Sequence, residues 1–261
     1  MTQIIFILVS FFASVIGCIC GIGGGVIIKP VLDAFGLYSV STISFMSGCI
    51  VLSMTSYSVL KAQLAHESVI EKGVSTYLGI GAALGGLAGK QLFDLVKGLF
   101  ANANTVGSVQ AAALFTVTLL TALYTVYKER IHTKNVRNPI VCIAIGLALG
   151  LMSAFLGIGG GPINLVVLYF FFSMETKVAA QNSLYIILFS QITSLVFTLV
   201  SGTTPEFPVG LFAVMVLCGI LGGVVGRRIN KKIDSQTVSK LFLGLLVVIM
   251  CVCCYNFLQY R

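Results

Sequence analysis

The pentapeptide GIGGG stands at residues 21–25 and again at 157–161, each time inside apolar sequence. Glycine weakens a helix by about 1 kcal/mol relative to alanine, so a paired interruption calls for a chemical reason. A nucleotide cradle fails on context: neither copy reads GxGxxG after a strand or GxxxxGK[ST], and both follow membrane-like segments. In a bilayer, glycine runs unwind a helix where protein or water satisfies the freed backbone. The short helix that follows then begins with unpartnered N–H groups and the positive end of its dipole. Such an end holds anions. Gly23, Gly24, Gly25, Gly159, Gly160 and Gly161 are therefore candidate substrate-binding residues, with close helix packing as the alternative. Pro162 follows the second copy directly, at the favoured first helical position. In the first copy Pro30 comes later, which predicts a helix start one turn further on.

Lys29 is the one cation placed deep in the membrane, and buried ionisable residues there are costly and usually functional. It is read as an anion ligand beside a helix N-terminus. An ion pair with Asp33, one helical turn on, is the equal alternative. The second half has Leu165 at the matching position, so the site is asymmetric. Asn164, Gln181, Asn182 and Gln191 complete the candidate substrate-binding set. Gln191, Ser194 and Thr198 recur on one helical face, which lines a cavity or else hydrogen-bonds between helices. The matching first-half span offers Ser41, Ser44, Ser47, Ser53, Thr55 and Ser56.

These residues lie in a chain of 261 residues, 57% hydrophobic and 9% charged, where soluble domains carry about 25% charged residues. Apolar runs longer than about 18 residues recur from end to end, predicting an all-α polytopic membrane protein. The N-terminal segment has no cation before Lys29, unlike a signal peptide, and is read as a retained membrane span. The net charge of +8 is assigned to cytoplasmic loops rather than to nucleic-acid binding. All eight cysteines lie in apolar segments, and none forms a CxxC pair with nearby histidines; Cys18 and Cys20 flank the first glycine motif. No metal, cofactor or enzymatic cluster is expected.

The two motifs are offset by 136 residues, and the match continues. Val31 and Leu32 fall on Val167 and Leu168, Gly73 on Gly210, and GGLAG at 85–89 on GGVVG at 222–226. The later glycine runs read mainly as helix-packing surfaces. A tandem duplication follows: a first repeat at 1–127, a basic linker at 128–137 and a second repeat at 138–261. Each half reads as an apolar segment, GIGGG, a short apolar stretch and three full spans. The first-half spans fall at about 39–60, 68–89 and 104–127, the second-half spans at about 177–201, 207–226 and 237–257.

If the motif turns each first segment into a hairpin, each half crosses the membrane three times. The repeats are then inverted, both termini lie on the non-cytoplasmic side, and 12 of the 16 Lys and Arg lie inside. Lys90, Lys97 and Arg261 fall outside, and Lys29 is in the membrane. The segments 61–72 and 227–232 are read as cytoplasmic loops. Four crossings per half would instead put the linker and RRINKK on opposite faces. Inverted repeats with broken helices are the build of secondary transporters.

GIGGGxxxxP repeated as GIGGGP in a second half resembles the TauE/SafE sulfite exporter family, also called toluene-sulfonate uptake permeases. The resemblance covers nearly the whole chain. It implies secondary transport of sulfite, a sulfonate or another small sulfur anion across the plasma membrane, with coupled protons among the expected partners. An anion channel or a carboxylate transporter is the alternative. Lys29 stands where the family pattern has an apolar residue, which points to a different substrate.

Overall fold

The computed structural model describes residues 2–99 and 103–259. Among these, all regular structure is helical. The first half holds α1 (Thr2–Cys20), α2 (Gly25–Ala34), α3 (Val40–Leu64), α4 (Lys72–Leu99) and α5 (Ala103–Tyr127). The second holds α6 (Pro139–Leu156), α7 (Pro162–Phe172), α8 (Thr176–Val200), α9 (Val209–Lys232) and α10 (Ser235–Gln259). Seven of these, α1, α3, α5, α6, α8, α9 and α10, are long and apolar enough to cross a membrane. The short α2 and α7 follow the glycine motifs, and α4 carries Lys90, Asp94 and Lys97 in its last turns.

Local chemistry sets the boundaries. Ser39 caps α3 by accepting from the Thr42 amide at 3.1 Å, and Asn138 caps α6 ahead of Pro139. Gly157 ends α6 in the left-handed region at φ 64°, where a side chain would be strained. Gly161 precedes Pro162 in extended conformation, so α7 starts as the proline predicts.

Three expectations need correction. The first-half helix does not wait for Pro30: α2 starts at Gly25 and carries Pro30 inside it, because Gly24 is already in helical conformation and its carbonyl accepts from Ile27 and Ile28. The stretch 227–232 is the end of α9 rather than a loop, and α3 runs on to Leu64. Lys90 and Lys97 likewise sit on α4, not in a connecting loop. Long cationic side chains extend from helix ends without breaking them. Arg261 lies outside the described residues.

Glycine positions bring the helices together. On α4, Gly81, Gly85 and Gly89 face the carbonyls of Ile143, Leu147 and Leu151 on α6 so closely that an added Cβ would overlap them. Gly222 and Gly226 of α9 meet the carbonyls of Phe11 and Val15 on α1 in the same way. The later glycine runs are thus packing surfaces. The pairings repeat with the halves exchanged: α1 packs on α9, and α6 on α4.

Helices α3 and α8 cross the centre side by side and run antiparallel. Thr42, at the start of α3, donates to the carbonyl of Glu206 beyond the end of α8 at 3.1 Å. Val69, beyond the end of α3, donates to Gln181 at the start of α8 at 3.4 Å.

Candidate functional site

The two GIGGG loops lie across each other at the middle of the α3–α8 pair. A Cβ on Gly25 would overlap the carbonyl oxygen of Ile158, one on Gly160 would come within 3.1 Å of the Ile22 oxygen, and one on Gly23 within 3.7 Å of the Gly159 oxygen. Each loop therefore presents glycine to the other's backbone. Val51 of α3 and Ile187 of α8, equivalent by the 136-residue offset, close the crossing from the sides. Ile22, Ile158, Val51 and Ile187 are all fully buried.

A cavity lies toward each end of α3 and α8, with this crossing between them. The larger, about 470 Å³, is bounded by Ser41, Ser44 and Gly48 of α3, by Gln191, Ser194 and Thr198 of α8, by Ser153 and Gly157, and by Lys90, Asp94 and Lys97 of α4. The smaller, about 240 Å³, is bounded by Ser58 of α3, Gln181 and Leu184 of α8, Cys18 of α1, Asn230, Arg227 and Lys231 of α9, and Glu67. The lining helices correspond under exchange of the halves: the starts of α3 and α8, the ends of α4 and α9, and the ends of α6 and α1.

Each cavity carries two cations and one carboxylate. Lys90 pairs with Asp94 at 3.5 Å, and Lys97 stands beside them. Across the molecule, Arg227 pairs with Glu67 at 2.7 Å and donates to the Ser58 carbonyl at 2.9 Å, while Lys231 contacts the same carboxylate. Hydrogen bonds from Lys231 and Arg227 hold Glu67, in the loop after α3, below the usual carboxylate range.

The candidates from sequence divide by place. Gln191 lines the larger cavity and Gln181 the smaller. Gly23, Gly25, Gly159 and Gly160 meet at the crossing, Gly24 faces Ser14 of α1 and Gly161 lies against Ile158 and Ile163; none of the six lines either cavity, whereas Gly157 lines the larger one. Asn164 is buried in the first turn of α7. Asn182 ties the α3–α4 loop to α8: it accepts from the Glu71 amide at 3.1 Å and from Ser75, and donates to the Val178 carbonyl at 2.8 Å. Lys29 is not at the start of α2 but in its middle, where its ammonium pairs with Asp33 at 2.7 Å, both side chains buried. Cys18 borders the smaller cavity, 3.3 Å from the Ser58 hydroxyl.

Sequence reasoning missed the charged residues at the cavity mouths. The signal was present: GGLAGK and GGVVGR place Lys90 and Arg227 at equivalent positions, 137 residues apart.

A multi-pass helical bundle with opposed cavities on either side of two broken helices is built as a membrane transporter, not as an enzyme. The chain belongs to the TauE/SafE sulfite exporter family, whose description, Sulfite exporter TauE/SafE, matches residues 6–252. It is similar to the probable membrane transporter protein YunE of Bacillus subtilis (strain 168), with 24% identity over 98% of both chains. It is also similar to the probable membrane transporter protein MamO of Magnetospirillum gryphiswaldense, with 22% identity over 93% of this chain and 43% of that one. No solved structure matches it.

Proposed function

We propose that the chain is a secondary transporter that moves a small anion, sulfite or an organosulfonate-like sulfur anion, across the plasma membrane by alternating access. The observation that carries this reading is the pair of corresponding cavities at opposite ends of the antiparallel α3–α8 pair, divided by the crossed glycine loops. Access from one side at a time then needs only local repacking at that crossing. The charge balance at each mouth, two cations against one carboxylate, favours an anion over a cation. The hydroxyls and amide of Ser41, Ser44, Gln191 and Ser194 supply donors for sulfonate oxygens.

The antiparallel course of α3 and α8 and the exchanged helix pairings support two inverted repeats, 1–127 and 138–261, joined by the linker 128–137. Lys128, Lys177, Arg227 and Lys231 gather at the smaller cavity's end, which supports reading that end as cytoplasmic, with both termini outside. A reporter fused after α10 tests this, and a cytoplasmic signal there refutes it.

Proteoliposomes holding the purified protein test the function. Saturable sulfite or sulfonate uptake, accelerated by unlabelled anion on the far side, is expected. Non-saturating flux without counterflow would mean an anion channel, and preference for carboxylates would refute the substrate class.

A further inference from the structure

We propose that Asp33 is the proton-carrying group of this transporter and that Lys29 is the charge it uncovers, so that one proton and one anion bind together. The proposal rests on the transport reading above and adds its coupling ion. It starts from an unbalanced set of hydrogen-bonding groups around a cavity of about 10 Å³, bounded by α2, α5, α6 and α10. Lys29, Asp33, Gln110 and Asn256 line it, each at least 95% buried.

The amide orientations are fixed by their donors. Gln110 Nε2 donates to the Phe155 carbonyl at 2.6 Å, and Asn256 Nδ2 donates to the Pro30 carbonyl at 2.8 Å. Both amide oxygens are therefore left over. Gln110 Oε1, Asn256 Oδ1 and Asp33 Oδ1 accept no hydrogen bond, although all three are buried. Three acceptors without a donor thus belong to residues lining one small space, and such orphaned groups are costly. A proton on Asp33 Oδ1 turns one acceptor into a donor and supplies the missing hydrogen to an amide oxygen. The surroundings thus suit the protonated carboxyl.

Proton binding has a second effect. Asp33 Oδ2 is the partner of the Lys29 ammonium at 2.7 Å, and neutralising it leaves a buried positive charge without its counter-ion. The Lys29 side chain runs beside Gly157: a Cβ there would stand 3.2 Å from Lys29 Cε and would also overlap Ser44. Gly157 and Ser44 line the larger cavity, so a residue without a side chain stands between the lysine stem and that cavity. An anion in that cavity then takes the place of the lost carboxylate charge. The step balances: one O–H bond forms on Asp33, one ion pair opens, and a proton and a monoanion enter with no net charge. Favourable coupling in one direction is equally favourable in the other.

The groups facing the pair from neighbouring elements are few. Among the described residues lining this space, the titratable one besides the pair is Cys253 of α10; α5 brings Gln110, α6 brings Leu156, α1 carries no charged residue and α3 none before Lys61. Across the larger cavity stand Lys90, Asp94 and Lys97.

The test uses the full-length protein with methanesulfonate and benzenesulfonate, which stay ionised at every pH used. Titration calorimetry in buffers of different ionisation enthalpy should report about one proton taken up per anion bound, with affinity falling about tenfold per pH unit on the alkaline side. Asp33→Asn should bind the anion without proton uptake and without that slope. Unchanged uptake in Asp33→Asn overturns the proposal. Should that variant not fold, infrared difference spectra of the wild-type protein decide: anion addition should raise a carboxylic-acid band that shifts in deuterium oxide, and its absence overturns the proposal. If neither sulfonate binds the wild type, the substrate reading has failed instead. Acid titration of the wild type in the infrared then settles the proton site alone, a buried carboxylic-acid band supporting Asp33 and none overturning it.

Discussion

Gly25 and Gly161 are equivalent in sequence, each the last glycine of its motif, yet the fold uses them differently. The same substitution at both therefore makes a sharp experiment. At Gly25 a Cβ would overlap the Ile158 carbonyl oxygen, with its carbon at 2.7 Å and the Ser47 hydroxyl at 2.9 Å. Ordinary contact begins near 3.4 Å, so the loops must part by more than an ångström, and backbone of the opposite motif cannot swing aside. Overpacking of this kind costs about 1–3 kcal/mol. At Gly161 the nearest atom to a Cβ is the terminal carbon of Ile158 at 3.7 Å, and the backbone is extended, so a side chain fits. Serine there is also a preferred residue for capping α7. Gly25→Ser should lower the melting temperature by roughly 2–12 °C, taking about 2–4 °C per kcal/mol for a chain of this size. Gly161→Ser should leave it unchanged or raise it. Thermal melts of the purified variants read both, and vesicle uptake should fall with Gly25→Ser alone. Equal losses at the two positions would refute the asymmetric crossing, and a neutral Gly25→Ser would refute the close contact itself.

Lys90→Met and Arg227→Met should each weaken anion binding about tenfold, near 1.4 kcal/mol, and each only from its own side of an oriented vesicle. Equal effects of both variants on both sides would contradict the two-mouth arrangement. Glu67→Gln should strengthen binding from the Arg227 side severalfold, because it releases Arg227 and Lys231, with the gain limited by solvent screening. Glu67 is held below its ordinary range, so its contacts persist at neutral pH and are lost as pH falls through that lowered value. Acid should thus mimic the variant on that side in a binding titration, and a Glu67→Gln protein indistinguishable from wild type at neutral pH would count against the reading.

Much of the architecture was legible because membrane sequence is read by length and interruption. The repeated GIGGG, Pro162 at the head of α7 and the matched later glycines mark two series of five apolar segments, and ten α-helices stand in their places. What failed was local punctuation by charge. Treating 227–232 as a loop hid Arg227, since a cation after an apolar run looks like an exit from the membrane. In the fold, α9 continues, and Arg227 turns inward to Ser58 and Glu67. Pro30 misled similarly: proline after a glycine run suggests a first turn, but Gly24 had already begun the helix.

The pairing of Lys29 with Asp33 was readable from their spacing, whereas its consequence was not. That depends on Gly157, 128 residues further on and in the other half, packing against the lysine stem. The equivalent positions in the second half are Leu165 and Tyr169, which cannot form an ion pair. So the scaffold repeats and its chemistry does not: both cavities keep cations at their mouths, but among the described residues only the larger has a buried charge pair close by. If that pair carries the proton, coupling is confined to the half-cycle in which the larger cavity is open. The double substitution Leu165→Lys with Tyr169→Asp would give α7 a second pair at the same four-residue spacing, but no matching polar set. Gln110 and Asn256 surround the first pair alone, so the variant should gain charge without gaining coupled proton uptake. Titration calorimetry in buffers of different ionisation enthalpy reads this directly. Two protons taken up per anion would show that an ion pair suffices by itself, and would remove the orphaned amide oxygens from the argument.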